Sequence, residues 1–70
     1  MNFKDCEVGK EIEIIRVNGK GRVKLISMGM REGKIANIQR IKGNLYQVYV
    51  QGIILVIDKE IMECIEVQYV

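Results

Sequence analysis

Seven glycines and not one proline cut this 70-residue chain into short apolar runs, a punctuation that limits it to brief strands joined by tight turns. The residues between the glycines reinforce that limit. Twelve isoleucines and eight valines stand against three leucines, and side chains branched at Cβ suit a pleated surface. Hydrophobic residues make up 49% and charged residues 29%, the balance of a folded globular chain. A chain of this length makes one domain, 1–70, with a small core and a thin stability margin.

Phe3 to Cys6 fits a short helical turn ahead of Gly9. Glu11-Ile12-Glu13-Ile14 alternates as a half-buried strand does, and the phase then slips, because Ile15 and Val17 fall on the other parity. A one-residue slip predicts a bulge or a sharp bend. Asn18-Gly19-Lys20-Gly21 is a turn signal, and from Lys20 to Met30 the period becomes helical. Val23, Ile26 and Met30 lie at i, i+3 and i+7, broadened by Leu25 and Met28. Lys20, Lys24, Ser27 and Arg31 are expected to run as a basic ridge along another side. Gly29 stands where a helix is closed by a left-handed residue, and Gly33 permits a second positive-φ turn.

Lys34 to Lys42 fits helix or strand, since Ile35, Ile38 and Ile41 are three apart; its flanking glycines and β-branched content favour strand. After the turn Gly43-Asn44, Tyr46, Val48 and Val50 alternate with Gln47, Tyr49 and Gln51. Gly52 leads into Ile53-Ile54-Leu55-Val56-Ile57, which reads as a buried strand. Asp58 is a good N-cap for a helical turn through Met62, and Ile65, Val67 and Tyr69 mark a last strand. The pattern is mainly β: about five strands, one short helix inserted between the first two, and a helical turn before the last. Strands this short close into an SH3-like or OB-like barrel, because closure removes exposed edges.

The chemistry available to such a chain is narrow. It has no histidine, which removes the commonest general base and the commonest metal ligand. Ser27 has no partner that would make it a nucleophile, and Glu11/Glu13 and Glu60/Glu63 read as solvated surface. Cys6 and Cys64 lie far apart in sequence with no Cys-x-x-Cys pair, so no metal site and no cofactor are expected. They read as small buried hydrophobes of a reducing compartment, with a disulfide between them as the lesser alternative. Nothing resembles a signal peptide or approaches the roughly 20 apolar residues of a membrane helix, so a cytoplasmic protein with no membrane insertion is expected. These features speak against an enzyme.

Binding remains. The net charge of +2 hides an uneven distribution: residues 16–42 carry eight lysines and arginines against one acid, whereas the segments on either side are acidic. Such asymmetry suits an acidic partner surface or nucleic acid, although basic and acidic segments can also neutralise one another within the fold. For a protein partner, the contact residues expected are Lys20, Lys24, Met28, Met30 and Arg31, with Gly29 and Gly33 shaping the surface that presents them. For nucleic acid, Tyr46 or Tyr49 would supply the stacking face.

The run Lys24-Leu25-Ile26-Ser27-Met28-Gly29-Met30-Arg31-Glu32-Gly33-Lys34-Ile35 resembles the signature of the FeoA-like family, an Arg-Leu-x-x-Leu/Met-Gly-Leu/Ile/Met followed by a short glycine-ended turn. Gln47 to Val56 looks like that family's Val-x-Val-x-Gly-x-x-Leu/Ala-Leu hairpin, and Ile65-Glu66-Val67 like its last strand. The chain departs from the pattern at Glu32, where proline is usual, at the short Gly43-Asn44 turn, and at Asp58, where a basic residue often stands. The resemblance implies an SH3-like barrel. It also implies a non-enzymatic accessory of ferrous iron uptake, whose partner is the cytosolic GTP-binding part of an FeoB-type transporter. The sequence leaves a homo-oligomer open. A small nucleic-acid-binding barrel is the alternative.

Overall fold

The computed structural model describes all residues from Met1 to Val70. Five strands form one antiparallel sheet: β1 (Ile12–Val17), β2 (Ile35–Lys42), β3 (Leu45–Val50), β4 (Ile53–Asp58) and β5 (Ile65–Tyr69). Their spatial order is β4-β3-β2-β1-β5, so the sheet curls with β4 and β5 at its two edges, an architecture that fits an SH3-like barrel. A 3₁₀ turn, Phe3–Asp5, precedes the sheet; helix α1, Arg22–Ser27, lies between β1 and β2; helix α2, Lys59–Met62, lies between β4 and β5.

The phase slip in the first strand is a bulge, for the β1–β5 register shifts between Ile14 and Arg16. A second shift, between Ile38 and Arg40 in the β2–β3 ladder, accounts for the three-residue isoleucine spacing that fitted helix and strand alike. Ala36 and Ile38 point inward before it, and Ile41 lies opposite the buried Tyr46 after it. Both bends wrap the sheet around a core that includes Phe3, Ile12, Ile14, Leu25, Met30, Val48, Met62 and Ile65, and no polar side chain is buried there. The β3–β4 hairpin closes through Gln51 (φ 48°) and Gly52 (φ 81°). Positive φ at both loop residues is what a two-residue type I′ turn requires, because its twist matches that of the strands.

Two expectations change. Helix α1 has only six residues, and Val23, expected on its apolar face, is 81% exposed. Leu25 is the helix's one buried residue, since so short a helix touches β1 along a single line. Strand β4 is not a buried strand: Ile54 is 58% and Val56 63% exposed, and only Ile57 is fully covered. A five-residue apolar run is covered on both faces only inside a sheet that has layers on either side, whereas here β4 is an edge strand with its outer face open.

Candidate functional site

Helix α1, which Gly29 and Gly33 follow, ends in a Schellman motif. Met30 N–H donates to Leu25 O at 2.9 Å and Gly29 N–H to Ile26 O at 3.1 Å, which satisfies carbonyls that a helix end leaves unpaired. Gly29 sits at φ 100° with open space around its missing Cβ, so backbone conformation and not crowding demands glycine there. The reversal sends Met30 inward, where it is 0% exposed beside Leu25 in the core. Met30 is therefore a core residue, which corrects its expected place among the contact residues.

The loop continues to a second docking point. Gly33 (φ 87°) donates its N–H to Ile14 O at 2.7 Å, and Ile14 N–H donates to Lys34 O at 2.9 Å. Arg22 ties the helix start to the same region, donating from Nη1 to Val17 O at 2.7 Å and lying 3.9 Å from Glu32. Glu32 thus holds a charge partner for α1.

Between α1, the end of β4 and α2 runs a groove of about 240 Å³. Leu25, Met28, Ile57 and Ile61 give it apolar walls, the exposed Val56 lies at its rim, and Lys24 and Asp58 add one charge of each sign. Gly21 completes the floor: a Cβ there would come within 3.2 Å of two Ile61 side-chain carbons, so glycine lets α1 approach α2. Asp58 Oδ1 accepts the Ile61 N–H at 2.9 Å, the N-cap expected from the sequence, and this fixes Ile61 in the groove wall.

Of the residues expected at a contact surface, the structure brings Lys24 and Met28 to this groove. Lys20 and Arg31 are exposed on either side of α1 but line no part of it, and because the helix spans only Arg22–Ser27 the expected basic ridge is not continuous. None of the four ion pairs in the molecule uses Lys20, Lys24 or Arg31; their charge remains available to a partner. Val56, Ile57 and Ile61 went unread as site residues. The alternation of Ile54, Val56 and Asp58 on one parity was the available sign that Val56 faces outward.

The aromatic residues offer little to a nucleic acid. Tyr46 is buried with its hydroxyl donating to Lys4 O, and the 42% exposed Tyr69 has its hydroxyl engaged by the Glu7 N–H at 3.0 Å; Tyr49 is half-buried. The two cysteines are free, Cys6 buried and Cys64 half-buried. Burial pushes the Cys6 thiol above its ordinary 9.0, against a lowering contribution from Tyr69. No group of three or more cysteines and carboxylates is placed to hold a metal ion, and no helix is long and apolar enough to cross a membrane.

A family model described as the FeoA domain matches residues 1–69. The chain belongs to the FeoA family. No curated protein sequence matches this FeoA-family chain. Among solved structures it is similar to the FeoA protein from Chlorobium tepidum, determined by NMR in solution, with a TM-score of 0.90 and 22% identity over 99% of this chain and 70% of that one. It is equally similar to an iron uptake regulatory protein (FeoA) known from a crystal structure, with a TM-score of 0.90 and 19% identity over 100% of this chain and 97% of that one. At these identities the likeness is one of fold. The groove and its exposed rim are properties of this FeoA-family chain's own residues.

Proposed function

We propose that this chain is a non-enzymatic cytoplasmic accessory of ferrous iron uptake, working as a single domain. Its partner is the cytosolic GTP-binding part of an FeoB-type transporter. The observation that carries the reading is the apolar groove between α1 and β4 with the unpaired Lys24 in its lining, and with Lys20 and Arg31, also unpaired, exposed before and after α1 in the chain. Family membership and the iron uptake role of a protein with the same fold support it. A groove of this kind takes an apolar side chain of the partner while the neighbouring lysines steer an acidic surface toward it. Gly29 and Gly33 shape the loop that presents the α1 wall.

A pull-down against the cytosolic region of an FeoB-type transporter tests both parts. Wild type should be retained, Lys24→Glu weakly, and Met28→Asp least, because it places a charge in the groove wall. Equal retention of all three rejects the groove, and retention of none rejects the partner.

A further inference from the structure

The open flank of β4 is a second binding feature, adjoining the groove at Val56 and Ile57. Lys59 N–H donates to Asn44 O at 2.8 Å, which sets the phase of the β3–β4 ladder. With that phase, Ile53, Leu55 and Ile57 exchange backbone bonds with Val50, Val48 and Tyr46. The N–H and C=O groups of Ile54 and Val56 therefore point away from β3, along an edge with no strand beyond it. These are also the residues whose apolar side chains are most open on the outer face of β4.

Natural sheets guard such edges with charge, proline or bulges. Ile53 to Ile57 contains no charge and no proline. The β3–β4 register also runs without a shift, whereas β1 and β2 each take part in one. From Ile53 to Ile57 the strand is regular in register, uncharged and unpaired on its outer side, and its one charge, Asp58, stands at its end.

We infer that this edge pairs with a second copy of the same chain, β4 against β4, antiparallel about a two-fold axis at Leu55. The register argues for this occupant. Centred on Leu55, Ile54 lies opposite Val56 of the second copy, and each such pair closes a narrow ring of two hydrogen bonds from the groups now unpaired. Ile53 lies opposite Ile57 of the second copy, and Asp58 opposite its Gly52. Every central position is thus apolar against apolar, and no like charges meet across the seam; a strand carrying charges would find none of opposite sign to match. Ile53, half-exposed and on the inward parity, then reaches the mouth of the groove beside Met28 and Ile61. One symmetric contact covers both the bare edge and the groove, so self-association and capture of another protein compete for the same residues.

Sedimentation velocity of the full chain over a wide concentration range tests this without any other protein, so its outcome is independent of the transporter reading. Wild type should pass from monomer to dimer as concentration rises. Ile54→Lys and Val56→Glu, both at exposed positions, should each weaken self-association about tenfold or more while the far-ultraviolet circular dichroism stays that of wild type. Mixing the two variants should restore a dimer, because the proposed register sets the new lysine opposite the new glutamate. The inference is overturned by a wild type that stays monomeric throughout, by folded variants that dimerise as wild type does, or by a mixture that shows no recovery.

Discussion

The two edges of the sheet are treated in opposite ways. Beyond β5 lies the N-terminal segment: Met1 N donates to Val67 O at 2.9 Å, Val67 N–H donates to Met1 O at 2.7 Å, and Asn2 bridges to Glu66. Asn2 also donates from Nδ2 to Glu63 O at 2.8 Å, and the wholly buried Phe3 anchors the segment in the core. Beyond β4 lies no strand, although its exposed residues include isoleucine and valine. Sealing an edge removes a template for strand addition, and leaving one open preserves it. A chain that closes one edge with its own first residues has the means to guard an edge, and that contrast makes the open one the natural place to look for binding.

The comparison can be broken most directly at the seal. Phe3→Ala removes the anchor of the N-terminal segment and should cost about 3–5 kcal/mol by urea denaturation, a large part of the stability of so small a domain. A loss below about 1 kcal/mol would mean that the segment lies on β5 without holding it. At the open side, Gly29→Ala forces an alanine into φ 100° and should cost about 1–2 kcal/mol, loosening the α1 wall of the groove with no steric clash to relieve. Asp58→Ala deletes the cap on Ile61 and should cost about 1 kcal/mol, with weaker partner retention than the stability loss alone explains. The smallest effect belongs to the bare edge itself. Ile54→Lys should change stability by less than about 0.5 kcal/mol; a larger loss would show that Ile54 is packed against something.

Much of the fold was legible in the sequence, the contrast between the edges was not, and the reasons are physical. Glycine positions and strand parity located every element, and even the β1 bulge showed as a slip between Ile14 and Val17. Asp58 was readable as a cap because capping is local chemistry. The run Ile53–Ile57 misled because hydrophobicity reports the composition of a strand but not its neighbours, and only topology makes β4 an edge. Met30 misled in its role: helical spacing set it on the apolar face, yet it was also counted as a contact residue, and the reversal at Gly29 places it wholly in the core beside Leu25. Lys24 and Met28 reached the groove because they lie within or next to the short helix, where the periodic reading still holds.

Amide hydrogen exchange, read residue by residue at a dilution where the protein sediments as a monomer, probes the difference between the edges at the atoms concerned. Val67, bonded to Met1, should exchange slowly, at a rate near that set by global unfolding, while Ile54 and Val56 exchange fast because their N–H groups face water. Protection of Ile54 and Val56 equal to that of Val67 would mean that both edges are closed, and the account of β4 as an open binding edge would fall.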